Sequence, residues 1–86
     1  MKEFERILKA LANKRRLAII KYLKKNKEAT VGDMANAISL SFKATSKHLG
    51  VLLTADIVEK DQRSLQMFYR ISENIRPLAN SIIKFL

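Results

Sequence analysis

Between Thr30 and Leu53 the sequence TVGDMANAISLSFKATSKHLGVLL carries two runs of helical periodicity separated by only four residues, and that spacing constrains the fold more than any other feature. In the first run Val31, Met34, Ala35 and Ile38 fall on one side of a helix, with Thr30 placed as N-cap and Asp33 three residues on, a shorter-armed version of the capping box. SLSF breaks the pattern, and Ser41 is the expected N-cap of a helix from about Phe42 to Leu53. There Thr45, Leu49 and Leu52 share one stripe, flanked by Ala44, His48 and Val51, while Lys43, Lys47 and Gly50 share another side with Ser46 near its border. Two helices so joined, the second holding its lysines away from its apolar stripe, make a helix-turn-helix.

The flanks extend this unit. Phe4, Ile7, Leu8 and Leu11 predict an amphipathic helix over residues 3–12, and Asn13 caps a second helix in which Leu17, Ile20, Leu23 and the ring of Tyr22 face inward. NKEA then turns the chain. After TAD, the β-branched and aromatic runs IVEK and MFYRI flank DQRSLQ, which reads as an antiparallel hairpin with a loop too long and polar for a tight two-residue turn. Period two sets Met67, Tyr69 and Ile71 on one face, Phe68 and Arg70 on the other. Ile75, Leu78, Ala79, Ile82, Ile83 and Leu86 define a last helix over 74–86, with Asn74 as N-cap and Pro77 third, inside the first turn where its missing N–H costs nothing. The expected fold is mainly α with a small β-hairpin wing: a winged helix-turn-helix of four helices, two strands and a closing helix, in a single domain spanning 1–86.

A chain of 86 residues buries only roughly 60 to 65 % of its unfolded surface, so it supports one core. With 48 % apolar residues, two glycines and one proline it is neither disordered nor repetitive. The lack of cysteine excludes disulfides, thiol redox sensing and thiolate metal sites. His48 is the one histidine, so a metal site would rest almost wholly on carboxylates; neither a metal nor another cofactor is expected. There is no GxGxxG, Walker or HExxH pattern and no nucleophile elbow for His48 to serve, so no enzymatic activity is expected. No apolar run approaches the roughly 20 residues that span a bilayer, and MKEFERILKAL is amphipathic rather than signal-like, which points to the cytoplasm and away from membranes.

The formal charge is +9, with 17 Lys and Arg against 8 Asp and Glu, and from Arg6 to Lys27 there are nine basic residues and no acidic one. Such a field attracts polyanions. Charge alone leaves nucleic acid, anionic membrane and simple solvation open; the helix-turn-helix and polar wing select double-stranded DNA as the partner.

The candidate contact residues are Ser41, Phe42, Lys43, Thr45, Ser46, Lys47 and His48 on the recognition helix, and Gln62, Arg63 and Ser64 at the wing tip, with Gln66 beside them. Phe42 either packs on a thymine methyl or staples the start of its helix to its own subunit. Lys43 can donate to guanine O6 or N7, Ser46 to a base edge and Lys47 to a phosphate; Ser41 caps the helix, contacts a phosphate, or does both. His48 is read as packing with its polar tip toward the backbone or a phosphate.

Both terminal helices carry apolar stripes that a core of three helices and a hairpin has little surface to cover. Burying a leucine or isoleucine is worth roughly 1.5 to 3 kcal/mol, so a homodimer is expected to pair Phe4, Ile7, Leu8 and Leu11 with Ile75, Leu78, Ala79, Ile82, Ile83 and Leu86 across a two-fold axis. Folding of the last helix back onto its own subunit is the alternative. Two symmetry-related recognition helices would match a palindromic or pseudo-palindromic site.

LANKRRLAIIKYL (11–23), VGDMANAISLSFKATSKHLGVL (31–52) and IVEK with MFYRIS (57–72) together resemble the ArsR-type family of small winged-helix transcriptional repressors. The resemblance implies a homodimer built through the first and last helices, operator DNA as partner, and repression by blocking promoter access. The chain departs from the metal-sensing members: no cysteine lies near Val31 to Asp33, and the last helix has only Glu73 near its start. Asp56 stands where the family has glycine and tolerates left-handed geometry with some strain, while Gly50 replaces a usually polar or basic residue. The reading is a sequence-specific, DNA-binding transcriptional repressor without a metal effector. The alternatives are a nonspecific architectural DNA-binding protein and a winged-helix protein-interaction module.

Overall fold

The computed structural model describes residues 1–86 as α1 (Lys2–Leu11), α2 (Lys14–Asn26), α3 (Val31–Ile38), α4 (Phe42–Thr54), β1 (Val58–Arg63), β2 (Gln66–Ile71) and α5 (Pro77–Ile83). The architecture is mainly α with one antiparallel hairpin, in the order read from the sequence.

Local capping sets the starts of the middle helices. Asn13 Oδ1 accepts from the Arg15 and Arg16 N–H groups at 2.9 and 3.1 Å and opens α2. Thr30 and Asp33 close both halves of a capping box, each bond 3.2 Å, at the start of α3. Ser39, in left-handed geometry at φ 54°, ends α3, and Ser41 Oγ accepts from the Ala44 N–H at 3.1 Å to begin α4. Only Ser39, Leu40 and Ser41 therefore lie between the two helices.

The hairpin corrects the expected loop. β1 and β2 pair from Val58 with Ile71 out to Arg63 with Gln66, leaving only Ser64 and Leu65 in the turn. Ser64 takes φ 57° and Leu65 does not share the positive sign, the pattern of a type II′ turn. The hairpin's outer half projects beyond the core, so the ladder continues through Asp61, Gln62 and Arg63 although inward-facing apolar residues have stopped. Its inner half is anchored: Ala29 and Tyr69 exchange backbone hydrogen bonds of 3.1 and 2.8 Å, so the turn after α2 edges β2. Tyr69 is buried and Met67 and Ile71 pack on the core, the face expected from period two. Asp56 adopts φ 58°, the left-handed geometry anticipated for it.

Ile19, Ile20 and Leu23 of α2 form the centre of the core with Met34, Leu49, Leu52 and Ile57, all fully enclosed. Ile19 faces inward more completely than the expected Leu17. At the C-terminal end α5 begins at Pro77 with Arg76 as N-cap, not at Asn74. Proline suits the first helical position, and residues 72–74 are held in a turn instead: Ser72 Oγ accepts from the Asn74 N–H at 3.3 Å and Glu59 Oε1 from the Glu73 N–H at 2.9 Å. Lys24 Nζ donates to the Ile83 and Lys84 carbonyls, both at 3.2 Å, and so caps the end of α5.

α1 and α5 pack on each other within one chain, with Glu3 paired to Arg76. Ile7, Leu11, Ala79 and Ile83 are thereby buried, and Ile75, Leu78, Ile82 and Leu86 lie half-buried against the core. The expectation that one subunit leaves both stripes bare is corrected: of the ten residues, only Phe4 and Leu8, 52 and 48 % exposed, remain largely in water.

Gly50 sits inside α4, where a Cβ would meet no atom within 4 Å. Close backbone approach within the subunit therefore does not explain it. Gly50→Ala is expected to raise the unfolding free energy by up to about 1 kcal/mol, since alanine fits the helical backbone and restricts the unfolded chain; urea denaturation reads this directly, and a loss of stability would contradict it.

Candidate nucleic-acid interface

Burial of Thr45, Leu49 and Leu52 fixes the rotation of α4 about its axis and turns Phe42, Lys43, Ser46 and Lys47 to solvent. Thr45 itself is corrected as a contact residue: it is wholly buried and its Oγ1 donates to the Ser41 carbonyl at 2.8 Å. Phe42 is 64 % exposed, so its ring does not staple the helix start to the subunit. Ser41 is exposed at the helix N-terminus while serving as its cap.

His48 is tied inward. Its Nδ1 lies 3.1 Å from Arg16 Nη1, and because a guanidinium can only donate, Nδ1 accepts and the ring proton is assigned to Nε2. The same guanidinium donates through Nε to the Ala10 carbonyl at 2.6 Å and through Nη2 to the Lys9 carbonyl at 3.1 Å. Arg16 thus closes the C-terminal turn of α1 and links it to the recognition helix. Burial, followed by the positive charges of Arg16, Arg15 and Lys47, holds the imidazole below its ordinary value of 6.5.

This has a definite sign. Neutral His48 is favoured in the fold, so the unfolded chain binds its proton first as pH drops. The contribution is complete above 6.5 and is lost as the pH falls through that value and then through the lowered folded one. Thermal unfolding midpoints are expected to decline across this window for the natural chain and less steeply for His48→Gln; equal slopes would refute the link.

At the wing, Gln62, Ser64 and Gln66 are exposed, whereas Arg63 is bound to its own chain. Its Nη1 and Nη2 reach the two Glu28 carboxylate oxygens at 2.7 and 2.6 Å, its Nε reaches Asp61 at 3.1 Å, and the group lies 4.7 Å over the Phe68 ring. The hydrogen bond from Arg63 lowers the Glu28 pKa, and the two carboxylates raise that of Arg63. A phosphate would have to replace these carboxylates. Leu65 is 97 % exposed at the turn, a position that the sequence, read as a polar loop, does not mark.

No group of three or more His, Cys, Asp or Glu side chains converges to hold a metal, and no helix is long and apolar enough to cross a membrane. A short turn between α3 and α4, a solvent-facing second helix and a hairpin directly after it together define a winged helix-turn-helix protein.

The family model "Bacterial regulatory protein, arsR family" matches residues 13–60, and the chain belongs to that family. It is 38 % identical over 66 residues to the transcriptional activator HlyU of Vibrio cholerae, an alignment covering 77 % of this chain and 60 % of that protein. The chain therefore spans less than two thirds of that relative's length. The solved structure of HlyU from Vibrio cholerae superposes with a TM-score of 0.83 at 31 % identity, covering 98 % of this chain and 87 % of the other. The homodimeric winged helix-turn-helix DNA-binding domain Mb0332 of Mycobacterium bovis gives 0.84 at 27 % identity, covering 98 and 74 %. The transcriptional repressor PagR of Bacillus anthracis gives 0.81 at 25 % identity, covering 98 and 92 %. The roles named for HlyU and PagR are in transcriptional regulation.

Proposed function

We propose that the chain binds double-stranded DNA as a homodimer and represses transcription in the cytoplasm by occupying a two-fold-related operator. α4 would enter the major groove while the hairpin follows the adjacent backbone. The observation that carries this reading is the projection of Lys43 and Lys47 from the face of α4 opposite the buried Thr45, Leu49 and Leu52, with Ser46 at its border and Phe42 exposed at the helix start. Phe42 fits a thymine methyl, Lys43 and Ser46 base edges, and Lys47 a phosphate; Gln62, Ser64 and, after exchanging its carboxylates, Arg63 would add wing contacts. Pairing through Phe4 and Leu8 on α1 is supported by their exposure and by the homodimeric state of the Mycobacterium bovis relative. Among the relatives HlyU is an activator and PagR a repressor; repression is preferred because blocking a promoter requires binding alone.

The test is a binding selection from a random duplex library, followed by competition at fixed salt. A specific repressor prefers its site by about 10³ or more over random duplex, whereas an architectural protein shows little preference. In the double variant Lys43→Ala with Lys47→Ala, loss of Lys43 should remove roughly 1 to 3 kcal/mol of discrimination at the base it reads and loss of Lys47 should weaken binding uniformly across sequences, while the fold persists. Unchanged base preference in the double variant would remove α4 from its assigned role. Failure to retard any duplex at low salt would favour a protein-interaction module.

A further inference from the structure

An open groove of about 630 Å³ runs between α1 and the C-terminal half of α4. Lys2, Arg6, Lys9, Arg16 and Lys47 surround it against the single carboxylate of Glu5, an excess of four positive charges (five minus one). Glu5 lies 3.9 Å from Lys9, and the molecule's other ion pairs involve Arg63, Arg70 and Arg76, so Lys2, Arg6 and Lys47 have no carboxylate partner. Like charges gathered around one recess repel, and an anion placed among them relieves that repulsion.

Two features distinguish this groove from a solvated basic face. Arg16 is preorganised: three of its five N–H groups are held by the Lys9 and Ala10 carbonyls and by His48, so its remaining donors lose little freedom on meeting a ligand. Gly50 leaves the groove wall open where most residues would place a side chain and lower the helix cost. Val51 adds apolar surface beside it. The volume suits a small molecule, whereas a duplex is too broad to enter between α1 and α4 and would meet only the rim.

We propose that this groove binds a small organic phosphate, its phosphate held by Arg16, Arg6 and the rim lysines and its carbon frame laid over Gly50 and Val51. Phe4 and Leu8 lie roughly a third of a turn around α1 from Lys2, Arg6 and Lys9, so pairing through them leaves the groove accessible. Lys47 belongs both to the groove and to the outward face of α4. Occupancy would therefore oppose DNA binding, a consequence that rests on the proposed function, whereas the site itself does not.

The test titrates the isotopically labelled protein, without DNA, with adenosine 5′-monophosphate and, separately, inorganic pyrophosphate, following amide chemical shifts. Saturable shifts are expected in Lys2–Ala10 and Lys47–Thr54, with affinity for the nucleotide falling about tenfold or more in Gly50→Leu and in Arg6→Ala and staying within about twofold in Lys25→Ala with Lys27→Ala. Gly50→Leu places its Cβ in open space, and its thermal unfolding checks that the fold persists. Shifts centred on Ser41–Lys43 and the wing would identify the probes as mimics of DNA backbone phosphate and overturn the proposal. So would unsaturable shifts over all surface lysines, or a folded Gly50→Leu variant with undiminished binding. With selected operator DNA, the nucleotide should lower the affinity of the natural chain and not of Arg6→Ala. A mapped, saturable site in a protein that binds no duplex would sustain the groove and refute the DNA-binding reading.

Discussion

Replacing Phe4 and Leu8 together by aspartate is expected to produce a folded monomer that has lost most of its operator affinity. Both side chains are about half exposed on α1, while Ile7, Ala10 and Leu11 hold that helix on the core, so the charges fall outside the subunit's own packing. In a symmetric dimer each substitution occurs twice, and burying carboxylates against apolar partners is strongly unfavourable. Separating the recognition helices makes each half-site bind alone, which removes an avidity gain of roughly 10² to 10⁴. Sedimentation equilibrium and operator titration on the same samples measure both effects. A natural chain that is monomeric at high micromolar concentration, or a double variant with undiminished affinity, would rule out the pairing through α1.

Leu49→Ala is expected to cost about 2 to 5 kcal/mol of stability. Leu49 is wholly buried on α4, where it contributes to the core joining α2, α3 and the hairpin. A chain of 86 residues lies toward the lower end of the roughly 5 to 15 kcal/mol typical of folded domains, so this one cavity consumes much of the margin. The urea midpoint should fall with little change in slope, measured at one protein concentration because the proposed dimerisation would shift it. Lys47→Ala, on the exposed side of the same helix, should stay within about 0.5 kcal/mol. Comparable losses from the two substitutions would contradict the observed orientation of α4.

The recognition helix was legible to within a residue because two local signals coincide, the Ser41 cap and the stripe of Thr45, Leu49 and Leu52. That stripe also foretold the fate of Thr45, whose inclusion among contact residues conflicted with its place on the buried side. The polarity of residues 61–66 predicts a loop, whereas Asp61, Gln62 and Arg63 remain in the backbone ladder with both faces wetted. Pro77 bounded the last helix without settling its first residue, since proline is compatible with more than one position in a first turn.

Capping, helical periodicity and strand alternation act between residues a few positions apart, and these the linear chain determined: the caps at Asn13, Thr30 and Ser41, the inward stripes, and the order of elements. Docking decided the rest. Arg16 meets His48 across 32 positions and Arg63 meets Glu28 across 35, while α1 covers α5 from the opposite end of the chain. Such partners are chosen by how packed helices rotate and cross. A local pattern specifies which face of each helix turns inward, but it does not specify which charged groups on the outward faces come within reach of one another.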